Sequence, residues 1–171
     1  MAALKLLLAV AVAVLVHLAG QQTISGFSLA VDVFLIVVVL HALGGNSLSA
    51  MLVGFLIGLL HDTLTNGPFG LFGFADTIVG YGTARLAQRL VIQRPSGVLG
   101  VVSFAAVVQQ SILVVLAFLL LPNPALPDLV WVVVKAATCG VLGMAAYVLS
   151  RRWRSGAEAR RRSRMSRLRL D

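Results

Sequence analysis

Charge is what this chain has least of. Only 12% of its residues are Asp, Glu, Lys or Arg, while 59% are hydrophobic and the mean hydropathy is +0.97. An ordinary soluble domain carries about twice that share of charge, so a soluble globular class is excluded and a membrane class implied. Cysteine is nearly absent too. The single Cys139 rules out an internal disulfide and offers no metal framework, and inside an apolar run it reads as a small buried packing residue. Polar stretches of domain length are missing. A span takes about 20 residues, so the 171 residues hold about six spans with their loops and no separate soluble domain. Catalytic constellations are missing as well: no nucleophile stands beside a base that a third group orients. His17, His41 and His61 lie on different spans or at span ends and make no ligand spacing, so no metal site is assigned.

What is present is a set of apolar runs. Residues 4–19 read as a retained first span, since another span follows almost at once and no cleavage site precedes a soluble region. Residues 28–43 make the second span, with Asp32 near its start, and 48–62, 69–84, 98–121 and 129–149 make the next four. Pro68, in the turn Asn66-Gly67-Pro68, separates the third from the fourth; Pro95 ends the segment after the fourth; Pro122, Pro124 and Pro127 lie in the last loop. Trp131 and Tyr147 sit near the two ends of the sixth span, as interfacial aromatic rings do.

The stretch around which these runs are arranged covers residues 54–81, GFLIGLLHDTLTNGPFGLFGFADTIVGY. Gly54 and Gly58 share a helix face, Asp62 closes that helix, and Gly70, Gly73 and Gly80 lead into the next. Small residues at four-residue spacing let helix backbones approach closely in lipid. The spacing predicts a tightly packed helical hairpin, with glycine-lined faces also suited to receiving partner helices.

Basic residues set the orientation. With an inside N-terminus, Lys5, then Arg85, Arg89 and Arg94, then the nine arginines from Arg151 to Arg169 all fall inside, and the outside loops hold no base. The positive-inside rule therefore puts both termini in the cytoplasm. Residues 1–150 read as a six-helix transmembrane domain and 151–171 as a basic tail, whose arginines suit anionic lipid head groups rather than nucleic acid. Charges inside spans are costly and by default paired or functional. Asp32, Asp76 and Lys135 qualify, all roughly 5 to 10 Å below the outer surface by helical rise. Asp76 with Lys135 is the favoured pair; the alternative is a Lys135 that snorkels outward toward Asp128. Gln109 and Gln110 read as interhelical hydrogen-bonding residues.

The run GFLIGLLHD, the polar turn, and Gly70 and Tyr81 beyond it resemble the signature of the MreD family, rod-shape-determining membrane proteins of bacteria. The size, the hydropathy profile, a polar residue at the start of the second span and the basic tail are similar too, so the resemblance covers nearly the whole chain. It is carried by Gly54, Phe55, Gly58, Asp62, Gly70 and Tyr81. Where the family often has a proline before the polar residue of the second span, this chain has Val31 before Asp32, and Asp76 and Lys135 stand where uncharged residues are expected. The resemblance implies an all-α fold like the substrate-binding subunits of energy-coupling-factor transporters, in the bacterial inner membrane. It also implies a non-enzymatic scaffold of cell-wall elongation that binds MreC and, through the elongation complex, serves RodA, its class B penicillin-binding protein and, indirectly, MreB. A vitamin-type transporter subunit is the alternative, favoured by the six-span plan, the outer-half charges and the Ala9/Ala13 spacing.

The orientation can be tested with reporters. A cytoplasm-dependent reporter fused after Arg154 should be active and a periplasm-dependent one inserted at Asn123 should be active, with the converse fusions silent; a periplasmic C-terminus would overturn the span count.

Overall fold

A chain this apolar has no water to satisfy its peptide groups in lipid, so the backbone closes its hydrogen bonds on itself as helices. The computed structural model describes residues 2–23, 26–65, 68–89, 94–121 and 128–167, the last with side chains through Arg152. The expected turn residues Asn66 and Gly67 and the three prolines of the last loop lie outside the described residues. In order the elements are α1 (Ala2–Thr23), α2 (Phe27–Ala30), α3 (Val33–Gly44), α4 (Ser47–Leu64), α5 (Leu71–Arg89), α6 (Pro95–Leu120) and α7 (Leu129–Arg167). Among the described residues every regular element is helical.

Among the described residues five segments are long and apolar enough to cross a membrane: Ala3–Thr23, Phe27–Gly44, Ser47–Leu64, Pro95–Leu120 and Leu129–Arg152. The protein is therefore a multi-pass helical membrane protein. The helix α5 matches the others in length, but Asp76, Arg85, Arg89 and three glycines leave it less apolar. Three boundaries differ from the sequence reading. The second apolar segment is split into α2 and α3 at Val31 and Asp32, both in extended conformation. Pro95 opens α6 instead of ending the preceding segment, because its fixed φ and missing N–H suit the first turn of a helix. The sixth span continues without interruption into the basic tail and is helical through Arg167, the last described residue.

The central element is α3, apolar on every side and in contact with α1, α4, α5, α6 and α7. A helix that is apolar all round belongs in an interior, and Phe34, Leu35, Val38 and Val39 are wholly buried. On one side Leu35, Ile36 and Val39 pack with Val79 of α5, Val98, Val102, Ala105 and Ala106 of α6 and Cys139 of α7. On another, Phe34 and Val38 pack with Ala13 of α1 and Ile57 of α4. The most extensive contact joins α4 to α5. Gly54 lies against the carbonyl of Asp76, Gly58 against Phe72 O and Gly73 Cα, and Gly80 against Ala50 O. The glycine spacing thus does produce a tight hairpin. The further expectation, that these faces receive partner helices, is corrected: they are filled inside the chain.

A methyl group at Gly58 would stand 2.7 Å from Gly73 Cα, whereas one at Gly82 would meet nothing within 4 Å. Gly58→Ala should therefore cost about 1–3 kcal/mol by overpacking, while Gly82→Ala should be neutral or slightly stabilising. Melting of the two variants in detergent measures the difference.

Candidate functional site

The interruption of the second span is where the polar chemistry begins. Val31 ends α2, its N–H donating to Phe27 O at 2.9 Å, and Asp32 starts α3 with Oδ1 accepting from Leu35 N at 2.9 Å. No proline is involved. The chain can break here because α7 serves the freed groups: Asp32 N donates to the Cys139 sulfur at 3.3 Å, and the Thr138 hydroxyl lies within bonding reach of Ala30 O. Non-helical backbone at membrane depth is tolerated only where protein covers it. Cys139 is buried as expected, but it also accepts a hydrogen bond, which its reading as mere packing missed.

With its cap made by Oδ1, Asp32 turns Oδ2 to the Lys135 ammonium at 3.2 Å. Both side chains are buried, and Lys135 also reaches Gln110 Oε1 at 3.5 Å and stands 5.9 Å from the Phe72 ring centre. The expected Asp76–Lys135 pair is thus corrected, and so is the alternative of an outward snorkelling lysine. The three charges do share one end of the bundle, as their positions along the helices imply. Their neighbours differ because α7 packs against α2, α3 and α6, whereas α5 packs against α3, α4 and α6. Asp76 meets Gln109 of α6, whose Nε2 donates to Oδ1 at 2.7 Å, and both are wholly buried. Gln109 and Gln110 therefore each bond between helices.

Two histidines complete the cluster. The His61 Nδ1 atom stands 3.9 Å from Asp32 Oδ1, and its ring lies among Phe34 (4.7 Å between centres), Phe72 (4.0 Å) and His17 (5.4 Å). His17 Nε2 is 3.0 Å from the amide nitrogen of Gln21, on an exposed residue. The sequence reading treated His17 and His61 as unrelated because they belong to different spans. A signal is present in the sequence: each lies toward the C-terminal end of its helix, the same positional argument that groups the charges. His41 is at the opposite end, 3.2 Å from Ser49 Oγ. Among the described residues no three His, Cys, Asp or Glu side chains are placed to hold a metal ion.

Next to this cluster, Asp62 of α4 caps α5. Its Oδ2 accepts from Gly70 N and Gly73 N, both at 3.0 Å, and its Oδ1 from Phe72 N at 3.1 Å. Three of the N–H groups that a helix start leaves free thus converge on one carboxylate, an arrangement that suits negative charge. Gly70 carries φ +100°, a left-handed conformation that a side chain would strain. Of the remaining motif residues, Gly73 packs against Leu59 and Gly80 against Ala50. Phe55 and Tyr81 are exposed, and the Tyr81 hydroxyl accepts from Arg85 Nε at 3.0 Å. The arrangement pairs Asp32 with Lys135 and Asp76 with Gln109 inside the bundle. Compared with known protein families, with curated proteins and with solved structures, the chain finds no match in any of the three.

Replacing Lys135 by Met leaves Asp32 buried without its counter-charge, which should destabilise the protein by about 3–5 kcal/mol. Adding Asp32→Asn should recover part of that loss, with a coupling of about 0.5–3 kcal/mol in a double-mutant cycle. The corresponding cycle with Asp76→Asn should show the smaller coupling. The reverse order, read by melting in detergent, would overturn the assignment of the pair.

Proposed function

We propose that the chain is an MreD-type scaffold of bacterial cell-wall elongation: a non-enzymatic, six-span protein of the inner membrane, both termini cytoplasmic, that binds MreC. Through MreC it would serve RodA and its penicillin-binding partner. One observation carries the reading. Six of the eight residues singled out in the motif stretch, Gly54, Gly58, Asp62, Gly70, Gly73 and Gly80, take part in a single device, the α4–α5 hairpin closed by the Asp62 cap. A signature most of whose residues brace one hairpin is what a rigid docking element requires, and a catalytic signature would instead converge on a reactive atom. On this reading α5 is also a span, the fourth in chain order, and brings the total to six. Its charges are arranged for that role, with Asp76 buried and Arg85 and Arg89 near the end taken as cytoplasmic. The basic tail contacts anionic lipid. A second reading, a transporter-type subunit with the corresponding transporter fold, draws support from the buried polar cluster at the end taken as outer.

With the glycines used internally, the partner contact falls to the motif residues left exposed, Phe55 and Tyr81. Phe55→Ala and Tyr81→Ala should reduce co-purification of MreC at least several-fold while leaving abundance unchanged, whereas Gly58→Leu should lower abundance itself. Intact MreC binding in both exposed-residue variants would remove the proposed contact. Absence of any MreC complex with the parent chain would remove the scaffold reading.

A further inference from the structure

One buried carboxyl is left over when the polar cluster is sorted into partners. Asp62 receives three backbone N–H groups, and Asp32 receives one and faces an ammonium. Among the described residues Asp76 has only the Gln109 amide. The second oxygens of these two groups, Asp76 Oδ2 and Gln109 Oε1, are both buried and both without a partner among the described residues. Both are acceptors in an ionised carboxylate and a neutral amide, so neither can serve the other. Leaving buried polar atoms unserved is costly, more so for a charged group. A single hydrogen on Oδ2 changes this. The carboxyl becomes a donor, and the amide already bonded to its other oxygen carries the acceptor.

We propose that Asp76 and Gln109 form a proton-binding site inside the bundle, in which a proton on Asp76 Oδ2 is donated to Gln109 Oε1 and completes a two-bond acid–amide pair between α5 and α6. From the elements near it Asp76 is faced by Asp32 at the start of α3, Asp62 of α4 and Lys135 of α7, and α6 contributes the uncharged Gln109. The one cation among them is already held by Asp32, beside which His61 also stands. An ionised Asp76, a third buried anion beside Asp32 and Asp62, would have no counter-charge of its own, and the proton neutralises it. The site does not depend on the scaffold reading, and it would hold equally in a transporter-type subunit.

Infrared spectroscopy of the full chain, purified and returned to lipid, tests this directly. A protonated carboxyl gives a C=O stretching band above the amide I region that moves down in D2O. The band should be present at neutral pH, lost in Asp76→Asn and kept in Asp128→Asn, which alters an exposed carboxyl. In Gln109→Leu it should persist but shift to higher frequency, since the carboxyl then loses its bonded partner. Asp76→Asn should fold and melt with the parent chain, because the asparagine amide supplies the hydrogen that the proton supplied. No such band in the folded parent, a band that survives Asp76→Asn, or an Asp76→Asn chain that does not fold would each overturn the site. Stabilisation by sodium at fixed pH with no carboxyl band would assign the position to a metal cation and overturn it as well.

Discussion

Helix starts inside an apolar bundle leave backbone N–H groups that no water can reach, and this protein meets that constraint with aspartate side chains. Asp62 gathers three such groups from the start of α5, and Asp32 takes one from the start of α3. Each orphaned group would cost several kcal/mol in hydrocarbon (about 2–7 by transfer), so these two carboxylates decide where helices begin. The Asp62 cap ties α5 to α4 across their turn, and the Gly54, Gly58 and Gly80 contacts follow from that approach. The Asp32 cap lets the second span break, which frees α3 to occupy the centre.

A carboxylate used as a cap is still a charge, and the rest of the cluster answers to it. Lys135 approaches Asp32 from α7, and His61 approaches from α4. A lone ionised side chain near a helix centre costs about 2.5–3.5 kcal/mol by insertion. Pairing offsets most of that, although the ordinary interhelical hydrogen bonds around it contribute less, about 0.6 kcal/mol on average. The polar groups therefore sit together at one end, and Leu35, Ile36 and Val39 of α3 pack with Val79, Val98 and Val102.

Much of this architecture is legible in the chain. Hydropathy marks the segments, the Gly54/Gly58 spacing marks the hairpin, and helical rise from the proposed span ends puts Asp32, Asp76 and Lys135 in one layer. Less legible are the boundaries at which local rules compete. Pro95 both stops a segment and starts one, and the residues before it do not say which. The break at Val31 has no proline or glycine to announce it, because the groups that make it possible, Thr138 and Cys139, come from more than a hundred residues away.

By itself the sequence determined the solvent, the helical class, the approximate segments and the shared layer of Asp32, Asp76 and Lys135, because all of these depend on composition and on the 1.5 Å rise per residue. Tertiary structure alone decided partnership. Depth is a coordinate along the helix, but pairing depends on which helices are adjacent and how each is turned about its axis. That is set by packing around α3, and it gave Lys135 to Asp32, left Asp76 to Gln109, and brought His17 and His61 together from separate spans.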